Sequence, residues 1–548
     1  MTRLAALLPL LLLASPARAS LPEEQAVRAY VRARAADAGG DLSFAARSYA
    51  DALAAQPGDP TLALRAFRQA MAAGDRRLAL DAARMLEVQG KLTPDGRLLL
   101  VAEAFTAKDW KRAAAGIAQV EQDRAFAFLA PVLRGWLTLG QGRGDPLAPL
   151  QAEAAGASPY AAEHRAFLLL ATRRYDEGLA ALRTQLGQPS GRTVRLKLAA
   201  AATLQRRGKD KLAATLLDGD DPALGYARAR VAARRDLPAP VLTPAEGLAE
   251  LFARLSVDIN RERVTPLALT MARLATFLAP DNAETWLATA ELLAAADMPQ
   301  AGLSALGHIA PDDPFVEAAR VARFQLLVRQ GAQAQALTEA QAVVARADAT
   351  SADWVRVGDI LSELDRHGEA AEAYGRALTI AEARPEEKDA LWTFYLLRGG
   401  ALEQAKNWAA AKPDLERAAA LAPEQPVVLN YLGYAQLERR ENLDTAETLI
   451  ARAARLKPDD ASITDSLGWA YYVRGKIPAA VRTLEQAVSA EPGDATMNEH
   501  LGDAYWTAGR RVEARYAWRA ALVSAADDAA KRIRQKIDAG LTTASAAP

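Results

Sequence analysis

The chain has 548 residues, 51% of them hydrophobic but only 6% aromatic, with 67 basic residues against 67 acidic ones and no cysteine. A formal charge of zero excludes the strong field that would attract nucleic acid or an anionic membrane. The missing cysteines exclude disulfides, thiol chemistry, cysteine-ligated metals and lipid attachment at a cysteine. Small apolar residues, chiefly Ala and Leu, dominate without the alternation of β-branched and aromatic residues that marks strands, which predicts an all-α fold.

The first residues, MTRLAALLPLLLLASPARAS, join a positive charge at Arg3, an apolar run from Leu4 to Ala14 and the small-x-small triplet Ala17-Arg18-Ala19. This is the pattern of a secretory signal peptide over residues 1–19, and the apolar run is too short to span a bilayer comfortably. The expected product is exported, has no stable membrane insertion after cleavage and is not a lipoprotein. In a Gram-negative cell it is periplasmic.

Residues 20–235 read as degenerate helical repeats. Ala45, Tyr49, Ala52 and Pro57 keep the spacing of the second helix in a repeat. Pro238, Pro240 and Pro244 then cluster where they break helices, which places a linker and a boundary at residues 236–243. Thr243-Pro244-Ala245-Glu246 supplies an N-cap, a proline at the first helical position and a capping-box glutamate, so a helix starts there. Trp286 with Leu293 and Leu306, and Ala336 with Ala340 and Val343, continue the spacing without its glycine.

From Gly358 the pattern is regular. Gly358, Gly399, Gly433, Gly468 and Gly502 stand at intervals of 41, 34, 35 and 34 residues, each opening the same series of small and apolar positions. Leu467-Gly468, Tyr471, Ala480, Leu484, Ala487 and Pro492 resemble the tetratricopeptide template of Leu-Gly, Tyr, Ala, an aromatic or apolar residue, Ala and Pro. Gly468 and Ala480 are predicted on the facing sides of two antiparallel helices, where minimal side chains allow close approach, while Pro492 stops the second helix. Equivalent series run through Trp354, Ala370 and Tyr374; Ala411, Leu415 and Pro423; Ala446, Ile450 and Pro458; and Ala514, Trp518 and Ala521. The unit at Gly433 has one extra residue in its inter-helix turn, and Pro413 falls inside a second helix, where a kink or a late start is expected. The resemblance thus implies a superhelical solenoid, with an array over residues 244–526, a capping helix at 527–540 and a disordered tail at 541–548. In the cap, Ile533 and Ile537 are expected to cover the last repeat while the basic stretch Lys531 to Lys536 faces water.

Chemistry is sparse. His164, His308, His367 and His500 are scattered with no partner at metal-ligand spacing, and each is expected at the surface or in a groove. Gly140 to Pro146 is glycine-rich but has no preceding strand, so it reads as a turn and not a phosphate cradle. No serine elbow, paired-carboxylate signature or P-loop accompanies it. The sequence predicts no enzyme, no cofactor and no metal.

In a tetratricopeptide superhelix the inner face is lined by first-helix positions that carry no packing motif. Counted from Gly433, Gly468 and Gly502 as position eight, positions five, nine and twelve are Asn430, Tyr434 and Leu437; Asp465, Trp469 and Tyr472; and Glu499, Asp503 and Trp506. This aromatic and acidic stripe is the predicted protein-binding groove, since Trp and Tyr dominate the residues that anchor interfaces. Family members that bind chaperone termini use a basic and asparagine clamp. Asp465, Glu499 and Asp503 stand in its place, so an acidic peptide is expected to be repelled and an apolar or basic one accepted.

The C-terminal half, above all LNYLGYAQLERRENLDTAETLIARAARLKPDD, ITDSLGWAYYVRGK and NEHLGDAYWTAGRRVEARYAW, is similar to large exported tetratricopeptide proteins of Gram-negative bacteria. One of these is an outer-membrane adaptor that binds a carboxyl-terminal processing protease and delivers cell-wall hydrolases to it. The resemblance implies an adaptor whose partners are proteins, among them a periplasmic protease and its substrates. The adaptor's lipid-bearing cysteine is absent here, so membrane tethering does not carry over. The alternative is a structural subunit of a machine that exports a polysaccharide or another surface component.

Overall fold

The computed structural model describes residues 21–151, 158–187, 191–347, 349–542 and 547; the expected signal peptide, residues 1–19, lies outside them. The described residues form 29 α-helices and no strand, and the fold is the all-α solenoid of helix pairs that the repeat implies. The chain divides into two compact units at Gly331/Ala332.

In the first unit the helices pair in sequence, for example Leu42–Ala55 on Pro60–Ala73 and Pro159–Ala171 on Tyr175–Leu186. One pair departs from that order. Helices Pro244–Arg261 and Thr265–Leu278 also pack on Pro60–Ala73, Pro94–Thr106 and Ala130–Gln141, so one apolar core runs from Ala29 to Leu278. Two residues show why the pair fits there. A Cβ on Gly247 would lie 2.1 Å from Cε2 of the fully buried Trp136, and Arg273 Nη2 donates to the carbonyl of Ala72 at 2.8 Å. Residues 236–243, expected as a boundary, therefore lie inside this unit. Leu237 and Val241 are buried, and their N–H groups donate to Gln205 Oε1 at 2.7 Å and Thr203 Oγ1 at 2.8 Å. The capping box of Thr243 and Glu246 is present and starts the helix at Pro244.

Beside that core lies a buried ionic cluster. Arg192 reaches both Glu163 and Glu250, Arg195 donates twice to Glu250 at 2.7 and 3.0 Å, and Arg254 reaches Glu163 at 2.6 Å. These pairs tie together helices Pro159–Ala171, Thr193–Arg206 and Pro244–Arg261. Glu284 Oε2 is 2.9 Å from Arg195 Nε yet forms no hydrogen bond, because that N–H is spent on Glu250.

The second unit is built by repetition. Helices Ser351–Glu363, Leu391–Gln404, Pro426–Glu438, Ala461–Val473 and Ala495–Thr507 each carry the motif glycine and pack on the helix that follows. Added Cβ atoms at Gly358, Gly399, Gly433, Gly468 and Gly502 would fall 2.3 to 2.9 Å from Tyr374, Leu415, Ile450, Leu484 and Trp518, respectively. Each glycine thus makes room for one large residue of the facing helix. Ala370, Ala411, Ala446, Ala480 and Ala514 are fully buried across the same seams. Asp365, Lys406, Gly475 and Gly509 take the same left-handed corner between paired helices, closed by bonds such as Lys476 N–H to the Tyr471 carbonyl at 2.8 Å. The extra residue of the Gly433 unit gives it two left-handed residues, Arg440 and Asn442. The helix Trp408–Leu421 begins on time and runs through Pro413, so the late start is not observed.

Candidate protein-binding groove

Helices Pro426–Glu438, Ala461–Val473 and Ala495–Thr507 position the predicted stripe. Asp460 and Asp494 cap the latter two, accepting from Ile463 N–H at 3.0 Å and Met497 N–H at 2.8 Å. With their glycine faces fixed against the following helices, residues at positions five, nine and twelve turn to one side.

The structure does not leave the nine stripe residues equally free. Trp469 is only 2% exposed, sandwiched between Tyr472 at 4.6 Å and His500 at 4.1 Å, with both rings nearly parallel to it. His500 Nδ1 is 2.9 Å from Asp465 Oδ2. Burial opposes a charge on this imidazole, but Asp465, with Asp503 and Glu499 nearby, outweighs it and raises its affinity for a proton. Leu437 is buried beside Trp469. Trp506 is half-buried, tilted against Trp518 at 5.5 Å and approached by the backbone of Gly540.

Two of the three acids of the stripe, Glu499 and Asp503, are covered, which corrects the repulsive surface expected of them. Glu499 takes Arg532 in a bidentate pair, with both bonds at 2.8 Å, and Lys536 Nζ at 2.6 Å. Asp503 takes Lys536 Nζ at 2.7 Å and Trp518 Nε1 at 2.9 Å. Burial pushes both carboxyls up; the two cations bring Glu499 back below its ordinary value, whereas Asp503, the deeper of the two, stays raised. The basic face of the cap, expected in water, turns inward at Arg532 and Lys536, and Lys536 is fully buried. The sequence carried a signal for this: Glu499 and Asp503 are four residues apart on one helix, as are Arg532 and Lys536 on the other, so the two ladders can mate. Of the tail expected to be disordered, residues 543–546 and 548 lie outside the described residues. Ala547 is held, its N–H donating to Asp503 Oδ2 at 2.9 Å and its side chain packed in the cluster of Leu437 and Trp469.

Asn430 and Tyr434 stay partly accessible. They line a cavity of about 410 Å³ with Tyr431, Glu438, Ser462 and Asp465. Tyr431 and Glu438 were not legible as groove residues, because they sit outside the five, nine and twelve register; the neighbouring Glu403 is at position twelve of the Gly399 unit, which a count begun at Gly433 leaves out.

Elsewhere, two of the four histidines are not surface residues. His164 is fully buried, accepts a hydrogen bond from Trp136 Nε1 at 3.0 Å, and is pushed down to about 4 by burial. His500 is the buried groove-wall residue already described. His308 stacks on Trp286 at 3.9 Å, and His367 lies 3.7 Å from Asp365. Among the described residues no group of three or more His, Asp or Glu could hold a metal ion, and no helix is long and apolar enough to cross a membrane.

The paired helices, their repeated glycine seams and a lined cavity on the stripe define a helical-repeat protein of the kind that binds other proteins. Residues 354–384 match the family model of the tetratricopeptide repeat, and the same glycine seam recurs through the second unit. Solved structures with similarity include a tetratricopeptide repeat protein from Parabacteroides merdae, 16% identical over 47% of this chain and 98% of its own, with a TM-score of 0.38. A chain of the APC/C hetero-tetramer Cut9–Hcn1 is 15% identical over 94% of this chain and 96% of its own, with a TM-score of 0.37. MamA protein is 21% identical over 35% of this chain and 96% of its own, with a TM-score of 0.26. No curated protein matches the chain.

Proposed function

We propose that this protein is an exported adaptor that holds a protein partner in the groove of its second unit and presents envelope substrates to a protease or cell-wall enzyme. The observation that carries the binding site is the cavity beside Asn430, Tyr431 and Tyr434, where partly exposed aromatic rings stand on helices fixed by the glycine seams. Trp469 and Tyr472 support that surface from within by stacking on one another. The periplasmic setting rests on the N-terminal sequence, and the protease connection rests on the resemblance of the C-terminal half to exported adaptors.

The test is a crosslinked pull-down of the tagged protein from intact cells, read by mass spectrometry beside a Tyr431→Ala, Tyr434→Ala variant. Recovery of a protease or wall hydrolase that the variant loses supports the adaptor. Recovery of export-machine components in its place overturns that role, and a partner set unchanged in the variant overturns the site. Cell fractionation with sequencing of the mature N-terminus tests export: a cytoplasmic protein that still begins at Met1 would refute it.

A further inference from the structure

We propose that the cavity at Asn430, Tyr431, Tyr434, Glu438 and Asp465 is a pocket for a cationic side chain, an arginine of the partner segment. This rests on the reading of the chain as a protein-binding scaffold and adds the chemistry of what it binds.

Four acids line the cavity, Glu403, Glu438, Asp465 and Asp494, and no basic residue is among the described residues lining it. Two of the four are satisfied internally. Glu403 is paired with Arg439, and Asp494 caps its own helix. The other two are not. Asp465 is 6% exposed and spends Oδ2 on His500, while its Oδ1 has no hydrogen-bond partner. Among the described residues Glu438 has only Arg439 within ion-pair range, at 3.9 Å, and that guanidinium is committed to Glu403 and to the Ala435 carbonyl. Asn430 Oδ1, on the same wall, is a second buried acceptor without a donor.

Unpaired buried acceptors are uncommon because each forfeits its hydration without recompense. Here two such acceptors, Asp465 Oδ1 and Asn430 Oδ1, and the more exposed Glu438 carboxylate lie on two helices around a space that no cation of the described lining residues enters. Burial and the nearby Glu403 also push the Glu438 carboxyl above its ordinary value, as expected for a carboxylate short of a cation. A guanidinium suits this arrangement better than an ammonium. It offers five N–H donors in a plane, enough to serve separate acceptors at once, and its flat faces stack on aromatic rings such as Tyr431 and Tyr434. The arrangement differs from the cap at Glu499 and Asp503, where Arg532 and Lys536 of the chain itself already occupy the acids.

The experiment uses the full-length protein and three fluorescein-labelled peptides, Ala-Ala-Gly-Arg-Gly-Ala-Ala and the same peptide with citrulline or glutamate in place of arginine. Fluorescence anisotropy is expected to show the arginine peptide binding about tenfold or more tightly than the citrulline peptide, a charge-assisted bond against a neutral one, with the glutamate peptide weakest. Glu438→Gln, at the more exposed edge, and Asp465→Asn are each expected to narrow the arginine preference, with unchanged melting of Glu438→Gln showing that the loss is not unfolding. Equal binding of all three peptides, or a preference that survives both substitutions, overturns the pocket. Capture from cells of a partner that the Glu438→Gln, Asp465→Asn double variant retains would overturn it too, while leaving the scaffold reading standing.

Discussion

The two units solve the same packing problem differently. In the second, each glycine seam is closed by the next helix, and the apolar clusters are small and local: Ala377 with Phe394, Leu429 with Ile463, Ala480 with Leu501, Ala514 with Ile533. In the first, the repeat motif has eroded, yet one core spans Ala29 to Leu278, because the helix pair at residues 244–278 packs on helices more than a hundred residues earlier. Loss of a repeat signature is thus not loss of structure. Where nearest-neighbour contacts are released from the template, long-range contacts replace them, and the sequence needs to match only at a few places such as Gly247 beneath Trp136. The charged clusters follow the same division. The first unit buries arginines against glutamates between helices far apart in the chain, and the second buries Lys536 at its end to seal the last repeat.

This contrast predicts where damage spreads. Lys536→Met should have the largest effect, since it strips the amine from two buried carboxylates. The expected cost is about 3–5 kcal/mol, because an uncompensated buried charge is worse than no ion pair. Hydrogen exchange read by mass spectrometry should show loss of protection in Ala495–Thr507 and Asp527–Ala539, and little change in Ser351–Glu363. Loss throughout the second unit would show that its repeats are not energetically local.

Next in size is Gly247→Leu. The added side chain drives into Trp136, whose ring is held by His164, and overpacking of that kind costs about 1–3 kcal/mol or more. Because the contact joins distant helices, exchange should rise in both Ala130–Gln141 and Pro244–Arg261. Ala480→Trp is the matched lesion in the second unit, at about 1–3 kcal/mol for one crowded seam. Its exchange should rise only in Ala461–Val473, Ile477–Ala490 and their immediate neighbours. If the two variants spread damage equally, the contrast between long-range and local packing is wrong.

The periodic half of the fold was legible because its packing rule is written in single residues. A glycine and the large residue sixteen or seventeen positions later specify one seam, and both can be read without knowing the rest of the chain. The folding back of residues 244–278 was not legible, because Gly247 and Trp136 are 111 positions apart and neither has a periodic partner. For the groove, position counting picked out Asn430, Tyr434 and Asp465, which line the cavity. It misjudged access, since exposure depends on what comes down on top. Glu499 and Asp503 look like free acids until Arg532 and Lys536 are set against them, and Trp469 looks like an anchor until His500 closes over it.

The smallest predicted effect tests the ionic cluster of the first unit through pH. Burial pushes Glu284 up to about 7, because Arg195 gives its N–H to Glu250 and leaves Glu284 close to a cation without a bond. A carboxyl raised in the fold contributes stability that is complete below its unfolded value near 4.5 and is lost as pH rises through about 7. His164, pushed down to about 4 by burial, has the opposite sign: its neutral form is the folded one, so stability rises as pH climbs from about 4 to 6.5. Between about pH 4.5 and 6.5 the two offset, and wild type should show little slope there before weakening toward about pH 7.5. Glu284→Gln copies the protonated carboxyl and removes one of the two. The variant should gain stability with pH across the lower window and exceed wild type at about pH 8 by about 1–2 kcal/mol, a value discounted for a side chain that is 24% exposed. Urea unfolding at about pH 5, 6.5 and 8, followed by exchange of peptides from Ala283–Ala295, measures it. A variant whose profile parallels wild type across all three values would mean that Glu284 is ionised and paired in the fold, with Arg195 shared between two glutamates.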